Sequence, residues 1–565
     1  MNRKILKHLA IILLIYYSNL SCVRKTPVFG ENGMVVSTSR HASQVGIDIL
    51  KDGGNAVDAA VGVGFALAVT SSSNGNIGGG GFMVARFSDG QTFTLDYREM
   101  APTKAERNMY LDESGNIIKG KSRSTHFASG VPGSVDGLLK AWSKYGSGNI
   151  SLRELLYPSI SLAERGFKLS VYEAQTLNTF KELFSNNEAA AKIFIRSDNR
   201  DWKSGDRLVQ KDLGKTLKRI ARYGRNGFYS GITADLIISE MDKGAGYITY
   251  EDLRQYESKF REPVAGTFNQ YEIISMGPPS SGGTILIEML NMLELFPLND
   301  FIWNSSNYIH LLTEVQRRAY ADRAEHLGDA DFWNSPTNML LKKSYAKNRI
   351  KDFSPKKASP SKQILPGDPY AFESSETTHY SIIDKYGNAV SVTTTINLAY
   401  GSGIVVDGAG FFLNNEMDDF SSKPGVPNSF GLVGNEANSI EPGKRPLSSM
   451  TPTIVLKNKK PFLILGSPGG SRIITSVLQA LLNITIHNMS LKEAVSLPRV
   501  HSQWLPDAVY FEENSLNDDV KELLIDNGHT ILPFSYIGNV NAILINENGY
   551  TGYGDPRGEN TAKGY

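Results

Sequence analysis

Residues 377–397 read TTHYSIIDKYGNAVSVTTTIN. Thr378–Ile383 and residues 389–396 are two strand-forming arms around a five-residue turn, Asp384-Lys385-Tyr386-Gly387-Asn388, which predicts a β-hairpin. Once a register is chosen, the hairpin fixes which side chains share a face. If Ile383 faces Ala389, counting back along both arms sets Thr377 opposite Thr395. Cross-strand Cβ atoms at such a pair lie about 4.5–5.5 Å apart. Asn397, two residues on, points to the same face, and Thr378 points to the other. A slip of one residue would disperse the Thr377, Thr395 and Asn397 cluster.

The ordinary reading of a leading threonine is strand propensity. The position admits a sharper one. Residues 351–376 form a polar linker ending in ESSE, so the chain can be cut before Thr377. A threonine hydroxyl inside a chain has nothing beside it to remove its proton. His379 shares the face of Thr377 but sits two residues along and leans away. Breaking the Glu376–Thr377 bond frees an α-amine with a pKa of about 7.7–8.0, which can act as the base near neutral pH. Threonine paired with its own amine is an established nucleophile. A hydroxyl at Thr395 could orient that amine.

The chain has 565 residues, too long for one small core, so two or more structural units are expected. Its 59 basic and 58 acidic residues give a net charge of +1, which offers no support for nucleic-acid binding. The start, MNRKILKHLAIILLIYYSNLSC, has a basic end and a short apolar run, the pattern of an export signal over residues 1–21. Cys22 follows at once and is the chain's single cysteine, so no intrachain disulfide can form. The segment resembles a bacterial lipoprotein signal with lipid on Cys22, although Asn19 stands where Leu is usual. The alternative is an ordinary secretory signal; either way the protein is expected to be exported to the periplasm or the cell surface. Nine histidines and one cysteine show no metal-ligand spacing, so no metal or cofactor is expected.

Along the chain, residues 34–69 read as a strand, a helix ended by Gly53-Gly54, and a wholly apolar helix from Ala56 to about Val69. A glycine-rich turn at 78–81 and two strands about Asp89-Gly90 follow. Residues 135–350 read as mainly amphipathic helix, including the loop GPPSSGG feeding a buried helix. From 377 strands dominate until SPGGSRIITSVL, a loop opening a helix. Strands grouped near both ends favour layered α/β packing from distant segments.

Many further runs fall in one order: GMVVSTSRHASQVGIDILKDGGNAVDAAV, NIGGGGFMV, LDYREMAP, GVPGSVDGL, GPPSSGG, HLGDADF, the hairpin, NNEMDDFSSKPGVPN, KRPLSSMTPTIV, GSPGGSR, PRVHSQWLPD and GDPRGENTAKGY. Together they resemble the γ-glutamyltranspeptidase (glutathione hydrolase) family from about Gly30 to Tyr565. The resemblance implies an α+β fold, the αββα four-layer sandwich of N-terminal-nucleophile hydrolases. It is formed jointly by a large subunit, 22–376, and a small catalytic subunit, 377–565, that stay together as a heterodimer after self-cleavage between Glu376 and Thr377. It further implies that Thr377 is the nucleophile, Thr395 its partner, and Gly469 and Gly470 the oxyanion hole. Arg98, Ser448 and Ser449 match the side that holds the substrate α-carboxylate; a guanidinium suits a carboxylate. Asn397, Glu416 and Asp419 match the α-ammonium side. The implied substrates are glutathione and other γ-glutamyl compounds, with water or an amino acid or peptide amine as acceptor. Residues 421–445 match a lid, in which Phe430 replaces a Tyr of some members, and Ser72 falls where Pro is usual. Two rivals stand beside this reading. One is an acylase of the same fold taking a glutaryl-β-lactam; the other is an uncleaved, non-catalytic lipoprotein.

Overall fold

The expected hairpin forms in the expected register. In the computed structural model, which describes residues 25–364, 377–423, 426, 432 and 434–565, strand Thr378–Ile383 pairs antiparallel with Ala389–Thr395, from Ile383 opposite Ala389 to Thr378 opposite Thr394. Thr377 and Thr395 are the next pair at the open end of the same register. Every residue of both strands is buried. The turn is held by Asp384. One carboxylate oxygen accepts N–H bonds from Tyr386 and Asn388 at 2.9 and 3.0 Å. The other accepts from Asn388 Nδ2 at 2.8 Å and from the backbone N–H of Ala56 at 2.9 Å. Ala56 begins the helix Ala56–Thr70, so the turn docks on a helix N-terminus, where a carboxylate is favoured. All fifteen residues of that helix are buried, as its unbroken apolar composition requires.

The hairpin lies inside a seven-stranded sheet in the order Thr561–Gly564, Met34–Ser37, Thr378–Ile383, Ala389–Thr395, Gly80–Arg86, Thr92–Asp96, Lys259–Arg261. A second seven-stranded sheet runs Val28–Gly30, Gly549–Gly554, Asn541–Asn546, Lys460–Gly466, Thr453–Lys457, Tyr271–Ser275, Val264–Phe268. The inner faces meet through Met34, Val36, Phe82, Val84, Ile274, Ile383, Ile454, Ile464 and Ile543. Helices Arg40–Lys51, Ala56–Thr70 and Leu152–Arg165 cover the outer face of the first sheet. Gly282–Leu293, Ser306–His326 and Arg472–Thr485 cover the second. The result is four layers, helix, sheet, sheet, helix.

Each sheet takes strands from both sides of residue 376: four before it and three after it in the first sheet, three before and four after in the second. The length of the chain is therefore absorbed by one interleaved sandwich whose two cores lie on opposite faces, and not by separate units in series. A cut before Thr377 would leave two pieces sharing both sheets.

Three details differ from the sequence reading. Gly80 and Gly81 are strand residues, not turn. A Cβ on Gly79 would sit 2.1 Å from the carbonyl oxygen of Thr395, and one on Gly81 2.5 Å from that of Thr393, so the glycines permit close approach to the hairpin. Strands Lys259–Arg261, Val264–Phe268 and Tyr271–Ser275 interrupt the helical middle of the chain. The first two are sheet edges with polar outer residues and so lack an apolar run. Among the described residues, 396–452 hold no strand and pass over the hairpin mouth as loops and 3₁₀ turns. No described helix is long and apolar enough to cross a membrane. Residues 1–24 and 365–376, and with them Asn19, Cys22 and Glu376, lie outside the described residues, as does Phe430.

Candidate active site

Thr377 stands at the hairpin mouth and is 6 % exposed. Thr378 faces away, its hydroxyl 2.7 Å from that of Thr38. His379 shares the Thr377 face but is spent within the sheets. Its Nδ1 lies 2.9 Å from the Thr393 hydroxyl and its Nε2 3.0 Å from that of Ser381. Burial alone lowers its pKa to about 3, so it is neutral and is no proton acceptor for Thr377.

The other sequence-predicted residues converge on this point. Thr377, Thr395, Asn397, Glu416, Asp419, Arg98, Ser448, Ser449 and Gly470 line one cavity. Gly469 lines a second, larger cavity, which also reaches Thr377. The two spaces meet at the threonine.

Local chemistry explains each placement. The Thr395 hydroxyl accepts the N–H of Asn397 at 2.7 Å. Asn397 adopts φ 70°, the left-handed region that Asn tolerates, and turns the chain out of the sheet. Its Nδ2 donates to the carbonyl of Asn415 at 2.9 Å, while its Oδ1 is buried without a partner. Glu416 and Asp419 lie on the 3₁₀ turn Glu416–Asp419. Ser448 and Ser449 are gripped by the GPPSSGG loop: Ser281 donates to the Ser448 carbonyl from its backbone N–H at 2.8 Å and from its hydroxyl at 2.6 Å. Gly469 and Gly470 adopt φ 137° and 55° between strand Lys460–Gly466 and helix Arg472–Thr485. Their carbonyls receive the N–H groups of Arg472 and Ile473. Neither glycine N–H is taken by another described group, and both sit at the positive end of the helix.

Sequence motifs assigned Arg98 to one side of the cavity and Glu416 and Asp419 to the other. In the structure they touch. Arg98 donates to Glu416 and, at 2.5 Å, to Asp419, with Glu99 at 3.6 Å. Three carboxylates thus share one buried guanidinium. Burial raises the pKa of Glu99, Glu416 and Asp419; Arg98 opposes this without cancelling it, and for Glu416 the neighbouring carboxylates push the same way. One Glu416 oxygen has no hydrogen-bond partner. The cluster carries more acid than its own cation satisfies, which suits a foreign cation.

Sequence reasoning missed Glu99, Arg323, Leu432, Met450 and Ile473. Glu99 adjoins Arg98 in the quoted motif; the others reach the cavity from the second sheet's helices and from the loop over the mouth. It also missed a buried trio, His310, Glu314 and His529. His310 Nε2 donates to the Ser354 carbonyl at 2.7 Å, so its Nδ1 accepts from His529 Nε2, also at 2.7 Å. Glu314 is held by Arg317, Arg318 and the N–H of Ser359. His310 and Glu314 spend their ligand atoms on the protein, whereas His529 Nδ1 is buried without a described partner.

The four layers, with a threonine at the mouth of a central hairpin, define the class: the fold is the N-terminal-nucleophile hydrolase sandwich. The crystal structure of cephalosporin acylase from Bacillus halodurans matches over 96 % of this chain and 97 % of that chain, with a TM-score of 0.82 at 24 % identity, a likeness of fold. The chain belongs to the γ-glutamyltranspeptidase family, whose model matches residues 42–565. It is 46 % identical over 533 residues to a glutathione hydrolase proenzyme of Escherichia coli, covering 94 % of this chain and 91 % of the relative. A crystal structure of Helicobacter pylori γ-glutamyltranspeptidase is 44 % identical over 62 % of this chain and 99 % of that chain, with a TM-score of 0.58.

Proposed function

We propose that this chain is a self-processing γ-glutamyltransferase and glutathione hydrolase with Thr377 as nucleophile. The observation that carries the reading is the convergence of nine motif residues, drawn from segments as distant as Arg98 and Gly470, on one cavity at Thr377. Cleavage between Glu376 and Thr377 yields subunits 22–376 and 377–565, which remain paired through their shared sheets. The freed α-amine, steadied by Thr395, takes the Thr377 hydroxyl proton as Oγ attacks the γ-carbonyl carbon. The N–H groups of Gly469 and Gly470 hold the oxyanion. Collapse breaks the C–N bond, the amine returns its proton to the leaving nitrogen, and cysteinylglycine departs. Water or an amine then attacks the γ-glutamyl ester and restores Thr377.

The substrate is a zwitterion at its far end. Its α-carboxylate takes Arg98, Ser448 and Ser449, and its α-ammonium takes Glu416, Asp419 and Asn397 Oδ1. With the acyl group in the smaller cavity, the leaving and incoming amines occupy the larger one. Its walls combine Phe167, Tyr172 and Tyr400 with Asn74 and Asn539, which suits an amino acid or short peptide. Export through residues 1–21 and lipid on Cys22 complete the reading. Purified protein should show two bands divided at Thr377 and release glutamate from glutathione, whereas Thr377→Ala should stay one chain without turnover. A Thr377→Ala protein that processes and turns over would sink it. The glutaryl acylase reading has no use for the surplus carboxylates, because a glutaryl group lacks the ammonium. Glutaryl amides should therefore be poor substrates.

A further inference from the structure

Helix Ser306–His326 buries three arginines. Arg317 and Arg318 have carboxylate partners: Glu314 and Asp507 for the first, Glu314 and Asp352 for the second. Arg323 differs. It is 4 % exposed, and no described carboxylate lies within ion-pairing distance of it. Its partners are hydroxyls: Nε donates to Ser281 Oγ at 2.9 Å and Nη2 to Ser449 Oγ at 3.1 Å. Ser281 Oγ in turn donates to the Ser448 carbonyl at 2.6 Å, and Ser448 Oγ accepts the N–H of Met450 at 3.1 Å. Arg323 also lines the smaller cavity.

The proton directions follow. A guanidinium only donates, so Ser449 Oγ must accept from Arg323, and Ser448 Oγ must accept from Met450. Each serine hydroxyl hydrogen is then left to point elsewhere, and the cavity is the open direction. Two hydroxyls set as donors beside a buried cation that no described carboxylate touches form a site for an anion. Burial holds the pKa of Arg323 down to about 10, yet that still leaves it charged at neutral pH. Asp419 supports that charge only from beyond contact distance, and a ligand anion offsets the remaining cost of burying it.

We propose that Arg323 is a positioning residue for the donor α-carboxylate: it sets Ser449 as a hydrogen-bond donor, holds the Ser448 backbone through Ser281, and adds a second positive charge beside Arg98. The proposal rests on the γ-glutamyl reading above. Turnover of γ-glutamyl-p-nitroanilide by the wild type is the control for that reading, and the variants then test Arg323. A carboxylate held equally in ground and transition states affects KM more than kcat. Arg323→Met should process into two subunits and show a KM raised about 10–100-fold, with kcat within about threefold. Arg323→Lys keeps the charge but not the fork and should fall between. Added guanidinium ion should lower the KM of Arg323→Ala. Ser281→Ala, which breaks the link to Ser448 without removing the charge, should raise KM a few-fold and keeps the test open if the methionine variant fails to fold. An unchanged KM in Arg323→Met, or a fall in kcat with KM unmoved and no response to guanidinium, would overturn the proposal.

Discussion

Two buried clusters of arginine and carboxylate sit in this molecule, and they titrate in opposite directions. Near the C-terminus, Asp555 receives Arg499 at 2.8 Å and Arg557 at 2.9 Å, and Arg557 also binds Glu512 at 2.5 Å. Burial would raise the Asp555 pKa, but two guanidinium groups and a backbone N–H overcome it and hold it below the ordinary value. At the cavity, three carboxylates divide one guanidinium, and burial wins. The residue types and the burial are alike. The ratio of cations to anions decides whether the cluster is closed upon itself or open to a charged ligand. Breaking a closed cluster costs stability, whereas neutralising an open one costs binding.

The largest effect should come from breaking the closed cluster. Asp555→Ala leaves the buried Arg499 and the partly buried Arg557 short of their partner and should lower unfolding stability by about 3–5 kcal/mol in denaturant titration. Glu416→Gln is the matching change in the open cluster. It should alter stability by no more than about 1 kcal/mol, because it relieves crowded carboxylates, while raising donor KM about 30–100-fold through loss of the proposed ammonium contact. Equal stability losses in the two variants would end the distinction.

Acid should separate the clusters next. The folded pKa of Asp555 is depressed, so its stabilisation is present above the ordinary carboxylate value of about 3.9 and is lost as pH falls through the folded value. The folded pKa of Glu416 is raised, so its carboxylate favours the folded state less as pH rises through that value. The Tm advantage of Glu416→Gln over wild type should therefore grow with pH. Donor KM in the wild type should fall as pH rises above the ordinary carboxylate range of about 4.3 and through the raised folded value, because only the ionised carboxylates hold an ammonium, and the slope should flatten in Glu416→Gln. The smallest effect belongs to a pair open to water. Arg107–Glu436 joins side chains 44 % and 57 % exposed, and Arg107→Ala should change stability by less than about 0.5 kcal/mol by thermal melt.

Much of the site is legible in the sequence. The hairpin register follows from the apolar pairing of Ile383 with Ala389, and it predicted the Thr377–Thr395 pairing one step beyond Thr378–Thr394. The motif order predicted the pocket residues, since each motif carries its chemistry in a few adjacent positions. The rest was not legible because it depends on approach between segments. Arg323 sits in an ordinary helical pattern, and its role arises only because the loop carrying Ser281 and the strand-flanking Ser449 pack against that helix turn. The strands at 259–275 lack an apolar run because two of them are edges.

Periodicity, turn residues and motif order thus determined the hairpin, the buried helices and the inventory of cavity residues, because these rest on patterns a few residues long. The interleaving of both sheets across residue 376, the meeting of Arg98 with Glu416 and Asp419, and the placing of Arg323 against Ser281 and Ser449 were decided by tertiary packing. Charge balance in a buried space depends on which distant segments share it, and no local pattern in the chain records that.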